Sequence, residues 1–258
     1  KDSGFLVRGE HAVGRGTLSL GWQSDFGRDV ERPRNNSRTV RFFYPIEDSH
    51  RFTANYAIHD VAGFGRISVD SLLGSYAQLT DQNRFATDTT GRSVERADIS
   101  ANDFQVRATA DRLAGSARLE FGADVNGRFD LNALDIFQDF DLAGNLTDDV
   151  TNVSVDNARR TNIAAFAGIE VPVMPTLVAA GGARVDRITT TNQGGFFGDR
   201  STENSAASGF ASVTVGPFAG VNVTAQVSRG FRDPVLSDRY YRGPSGRGFI
   251  TGNPDLDP

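Results

Sequence analysis

The sequence contains no cysteine, a single methionine (Met174), a single tryptophan (Trp22) and three histidines. Without cysteine there is no disulfide framework and no thiolate zinc site. His11, His50 and His59 are too scattered to form a sequence-local metal centre. No stretch approaches the roughly 18 to 20 unbroken apolar residues of a membrane-spanning helix, and the opening KDSGFLVRGE lacks the apolar centre of a signal peptide. Excess positive charge is missing too. With 27 Lys and Arg against 32 Asp and Glu, the formal net charge is −5, which argues against a general nucleic-acid binder because phosphate neutralisation needs clustered cations. Catalytic signatures are equally scarce. Ser245 sits in G-P-S-G and not in a G-x-S-x-G elbow, and no ordered Ser, His and acid set stands out, so no enzyme is expected. RGPSGRG (242–248) is glycine-rich and basic but lacks the lysine of a phosphate-binding loop. Asp135, Asp139, Asp141, Asp148, Asp149 and Asp156 do not follow the spacing of a calcium loop and read as a solvated polar loop. Nothing in these patterns calls for a metal or another cofactor.

What is present is period two. At 38% hydrophobic and 10% aromatic, with 19 Phe among 258 residues, the chain has the apolar content to fold. Helical periodicity is nearly absent. Over 116–131, Ala117, Leu119, Phe121, Ala123, Val125, Phe129 and Leu131 fall on one face, with Ser116, Arg118, Glu120, Asp124, Asn126, Arg128 and Asp130 on the other. The pattern recurs at 102–112, where Phe104, Val106, Ala108 and Ala110 alternate with charged and polar residues. It returns at 51–59 (Phe52, Ala54, Tyr56, Ile58) and at 220–228 (Val221, Val223, Ala225, Val227). About ten strands fit this template. Brief turns at 13–16, 61–65, 113–115 and 216–220 take turns with polar stretches near 26–50, 80–101, 132–158, 192–207 and 232–258, which read as long loops. Short turns at one end and long loops at the other, joining strands with one apolar face, predict an all-β, up-and-down antiparallel transmembrane barrel with apolar side chains toward lipid. Arg107, Asp111, Arg118, Glu120 and Asp124 would then face a wet lumen, and the mean hydropathy of −0.34 is compatible because half of each strand avoids lipid. The alternative is a soluble β-sandwich binding protein, in which the apolar face packs on a second sheet. The chain starts at Lys1 without a methionine and stops at Pro258, so it is expected to be a piece of a longer protein and an arc of a larger barrel. An arc has two raw edges and an apolar face, and alone in water it is expected to aggregate.

The last residues, SRGFRDPVLSDRYYRGPSGRGFITGNPDLDP, carry the most specific motifs. Pro234 and Pro254 cannot donate to a sheet ladder and suit places where strands enter loops, and Asn253 before a proline favours extended or turn geometry. Phe231, Arg232, Pro234 and Leu236, then Tyr240, then Gly252, Asn253, Pro254, Leu256 and Pro258 resemble the F-R-x-P-x-L and N-P-x-L-x-P boxes of TonB-dependent outer-membrane receptors. SHRFTANYAI (49–58) and LGSYAQLTDQNRF (73–85) are also similar to that family, less specifically, so the resemblance covers 1–258. The family more often has Ala where this chain has Asp233.

The resemblance implies a barrel of about 22 strands, closed by an N-terminal plug domain that this chain lacks, in the outer membrane of a Gram-negative bacterium. It also implies active import of a ferric siderophore or similar scarce, bulky nutrient, energised by TonB through the plug, with lipid and lipopolysaccharide around the barrel. In that family the second box opens the strand that follows the outer loop. A ligating histidine, usual between the boxes of haem receptors, is missing here, which points away from haem. On the loop between the boxes, Arg232, Arg239, Tyr240, Tyr241, Arg242, Arg247 and Phe249, with Arg229 beside them, form an arginine–aromatic run suited to carboxylate, catecholate or phosphate ligands. The rival functions are a passive porin and a structural outer-membrane barrel.

Overall fold

The computed structural model describes residues 1–31, 36–245 and 248–257. Alternation becomes one antiparallel sheet. Its strands are β1 (Asp2–Val13), β2 (Gly16–Glu31), β3 (Val40–Val61), β4 (Phe64–Arg84), β5 (Ser93–Ala114), β6 (Ala117–Phe140), β7 (Leu146–Met174), β8 (Leu177–Asn192), the two-residue β9 (Gly194–Gly195), β10 (Arg200–Phe218) and β11 (Val221–Arg229). A short helix α1 (Leu236–Tyr240) and a hairpin of β12 (Arg242–Ser245) and β13 (Gly248–Thr251) follow. Each long strand pairs with the next in sequence from β1 to β11, while β9 pairs with β7. The sheet is an unclosed arc, with β1 and β11 at its ends.

Two-residue turns join the strands at one end. Ala62 (φ 53°) and Gly63 (φ 83°) take the left-handed conformations of a hairpin turn whose twist matches that of the flanking strands. At the other end the structure corrects the sequence reading. The first four polar stretches are mostly strand, leaving short tips at 85–92, 141–145 and 196–199. β7 alone is 29 residues long, although about 9 to 11 cross a bilayer. Sheet pairing uses backbone groups, so the ladders continue after the apolar alternation stops, and the hairpins stand well clear of the apolar belt. Asp135, read as part of a solvated loop, lies on β6 and is 1% exposed.

Register keeps the apolar residues on one face. Trp22, Phe52, Leu73 and Phe104 are successive cross-strand neighbours, as are Tyr56, Val69, Ala108, Ala123, Ala165, Val185 and Ala207. This outer face is uncovered: Leu73 and Val185 are each 59% exposed. The inner face carries Asn55, Asp70, Arg107, Asp124, Ala164 and Asp186 in one cross-strand row. Among the described residues no helix is long and apolar enough to cross a membrane, whereas these strands present an apolar belt.

One apolar residue departs from the expected face. A bulge in β6 shifts the register between Arg128 and Leu131, with Asp130 at φ 50°. The extra residue turns Leu131, Ala133 and Asp135 inward, so Leu131 leaves the Phe121 face that the alternation predicts for it. Leu131 and Ala133, with Ala101, Val155 and Ala158, form an apolar seat on which Leu236 and Tyr240 pack. Residues 230–245 and 248–257 therefore lie across the inner face as a strap. The five-residue helix α1 had no periodic signal. Residues 252–257 contain no strand, so a strand opened by the second box is not among the described residues.

Candidate functional site

The strap is built by its two motif boxes packing on one another. Pro234 fits the segment ahead of α1, where no ladder hydrogen bond is required, and the backbone N–H of Val235 donates to Asp238 Oδ2 at 3.1 Å to start the helix. The chain then returns. The N–H of Gly252 donates to Tyr241 O (2.8 Å), that of Asn253 donates to Asp238 O (2.9 Å), and Arg239 Nη1 donates to Pro254 O (2.9 Å). A side chain at Gly252 would meet the Arg239 carbonyl oxygen at 2.7 Å, so this close return needs glycine.

Three polar anchors tie the strap to the wall. Asp233 accepts from Arg160 Nε (3.1 Å) and Asn204 Nδ2 (3.0 Å), and Arg239 Nη2 lies 3.6 Å away. Both Asp233 and Arg239 are about 1% exposed at the side chain, so Arg239 relies on Asp233 for compensation, while Asp233 is also paired with Arg160. Tyr240, fully buried, shares a 3.3 Å hydroxyl contact with Thr190 of β8. Ser154 of β7 clips the hairpin: the N–H of Arg242 donates to its Oγ (2.7 Å), and that Oγ reaches Arg242 O (2.5 Å).

Between strap and wall lies a cleft of about 720 Å³. Phe42, Tyr44, Ile99 and Leu236 give it apolar sides. Gln78, Gln105, Asn126 and Arg128 offer hydrogen-bonding groups, with Arg128 held bidentately by Asp103 at 2.8 and 2.9 Å. Nearer the two-residue turns, Arg184 joins Asp124 (2.6 Å) to Asp186 (2.8 Å), and Arg107 stacks 4.7 Å from the Phe166 ring centre. These inner-face charges are mostly compensated, while the cleft mixes apolar walls with amides, of which Gln78 already donates to Glu47 and Asn126 to Asp124.

The candidate residues separate by location. Arg232 points outward, its side chain 83% exposed, and is 3.3 Å from Asp238. Arg239 and Tyr240, read in the sequence as loop groups open to a ligand, are enclosed beneath the strap and act as anchors in this arrangement. Tyr241 is half-buried and lines the cleft; burial and the neighbouring Asp135 push its hydroxyl pKa up. Arg242 is stacked between Phe196 (4.2 Å) and Phe249 (5.0 Å), with Phe249 54% exposed. Arg229 borders the lower groove beside Arg184. Phe231 is half-buried, Pro234 and Leu236 are buried, and Asn253, Pro254 and Leu256 lie on the outer layer of the strap. Arg247 and Pro258 lie outside the described residues.

Sequence reasoning did not find Phe196, Ser154, Arg160 or the Phe42–Tyr44 wall. These residues come from three separate places, β3, β7 and the tip before β10, and share no local spacing. Asp233 had one signal, its departure from the more usual alanine.

Residues 3–258 match the family model described as "TonB dependent receptor-like, beta-barrel". Among solved structures the chain is similar to the copper transporter OprC, with 11% identity, a TM-score of 0.64, and coverage of 99% of this chain and 48% of that one. It is also similar to a double mutant of the Serratia marcescens hemophore receptor HasR in complex with its hemophore HasA and heme, with 14% identity, a TM-score of 0.42, and coverage of 99% and 48%. The chain spans about half the length of these two structures. No curated protein matches it.

Proposed function

Since the chain belongs to the TonB-dependent receptor β-barrel family, we propose that it is one arc of an outer-membrane transport receptor that binds a bulky nutrient on its inner face. The parent protein supplies the remaining strands and a plug through which TonB delivers energy. The observation that carries the reading is the cleft beneath the strap, set on the inner face of a sheet whose outer face is an uncovered apolar belt. A soluble sandwich would cover that belt with a second sheet, and an unobstructed porin wall would have no strap across it.

A ferric siderophore suits the cleft's mixture of ring surfaces, amides and Arg128. Direct contact falls to Arg232, Tyr241, Arg242 and Phe249, with Arg239 and Tyr240 holding the strap in place.

Uptake of ferric siderophores, cobalamin, copper and oligosaccharides by cells carrying the full-length protein tests this reading. The expected result is uptake of one class that disappears without TonB and drops at least tenfold with Arg128→Ala. Uptake independent of TonB would overturn it.

A further inference from the structure

Among the described residues, Asp135 combines near-complete burial with an unpartnered carboxyl oxygen. It stands on the β6 extension beyond the bulge and outside the apolar belt, 1% exposed, and its Oδ1 has no hydrogen-bond partner. The β12–β13 hairpin seals it: a side-chain carbon at Gly243 would collide with both carboxyl oxygens. From the strap come Tyr241 and Arg242, from β7 come Ser154 and the register partner Asn152, and the neighbour across on β5 is Ala97. Arg242 stacks on the rings of Phe196 and Phe249 and is in no close ion pair with Asp135, so its charge favours the ionised carboxyl less than burial opposes it.

The hydroxyl that favours an ionised Asp135, that of Ser154, is also claimed by the strap, and burial outweighs it. Ser154 has one hydroxyl proton, and Arg242 O at 2.5 Å already takes it, while the Arg242 N–H occupies a lone pair on the same oxygen. A protonated Asp135 brings its own hydrogen and donates it to Ser154 Oγ, which leaves the clip on Arg242 intact. An ionised Asp135 competes for the single proton of Ser154. Either the carbonyl of Arg242 or a buried negative charge then goes unsatisfied, and both are costly away from water.

We propose that the hairpin is a proton-closed latch: protonation of Asp135 holds β12–β13 against β6 and β7, and ionisation releases it. Burial raises the Asp135 pKa to about 7 in the docked state, whereas the released carboxyl regains an ordinary value near 4. Docking is therefore the state with the higher proton affinity. Its proton-linked stabilisation is complete below about pH 4, declines by up to tenfold in the docking constant per pH unit from there, and is gone above about pH 7. α1 stays anchored through Asp233 and Tyr240, so the released element is the hairpin. That release widens the cleft rests on the proposed function; the latch does not, and it is tested without any ligand.

The full-length protein in detergent, spin-labelled at Ile250→Cys on β13 and Leu146→Cys at the start of β7, reports the hairpin-to-wall distance. At pH 5 one short distance is expected. A longer, broader population should grow between pH 5 and 7 and level off by pH 8. Asp135→Asn and Asp135→Ser, either of which keeps the site neutral, should hold the short distance at every pH. Gly243→Ala should give the long distance throughout, because its methyl collides with the carboxyl whatever its charge. Identical distributions for the unsubstituted chain at pH 5 and pH 8 overturn the latch, and so does an undiminished pH shift in either Asp135 variant.

Discussion

At the scale of single residues, the strap is held by groups whose value depends on burial. Asp233 neutralises Arg239 in a water-free setting, and replacing it by alanine leaves Arg239 as an uncompensated buried charge and Arg160 without its partner. Loss of a buried partner typically costs about 3–5 kcal/mol. Asp233→Ala is therefore expected to free residues 231–245 to rapid amide exchange while β5 to β8 remain protected; unchanged exchange in the strap would refute this role. Tyr240 makes a smaller polar contribution and a larger apolar one. Tyr240→Phe gives up the 3.3 Å contact with Thr190, worth about 1 kcal/mol, whereas Tyr240→Ala also empties the seat and should cost about 3–5 kcal/mol. Comparison of strap exchange in the two variants measures the split. The exposed pair Arg232–Asp238 is a different case, since solvent screens it, and breaking it should leave strap docking unaltered.

At the scale of elements, one inserted residue decides what the upper wall of the cleft presents. The bulge at Asp130 lets β6 carry Ala123 and Val125 on the outer face and Leu131, Ala133 and Asp135 on the inner face, a switch that strict alternation forbids. Deleting Asp130 returns 131–140 to the original phase. The lower strand from 117 to 129 keeps its pairs, so the barrel is expected to assemble with an unchanged heat-modifiable gel shift. The strap loses its apolar seat, and the Ile250 and Leu146 spin labels should show the released distance at pH 5. A deletion variant with a fully docked strap would show that the bulge does not set the face. The extended hairpins obey the same logic, because a ladder of backbone hydrogen bonds needs no apolar side chains and carries the polar segments far beyond the belt.

At the scale of the whole molecule, the two faces meet different solvents. Val106 lies on the outer face and neighbouring Gln105 on the inner face, so arginine at the two positions should behave differently. Val106→Arg is expected to cost about 2–4 kcal/mol in a bilayer and to lower the folded yield in the outer-membrane fraction, with Gln105→Arg near the unsubstituted yield. Equal yields would contradict the assignment of faces. Residues 1–258 expressed alone in water should aggregate through the edges at β1 and β11 and the apolar belt; a monomeric, cooperatively melting product would count against it. The sequence by itself determined the strand type, their approximate number, the up-and-down order and the face on which Phe52, Val106 and Phe121 lie, because side chains alternate with a period of two and adjacent strands pair through short turns. It also marked the two boxes near the end. Only the tertiary structure decided that polar stretches continue as strands, that Leu131 turns inward, and that Arg239 and Tyr240 are buried while Asp135 is sealed beneath Gly243. Those outcomes depend on a bulge and on contacts between residues 73 to 88 positions apart, such as Arg160 with Asp233 and Ser154 with Arg242, which no local period encodes.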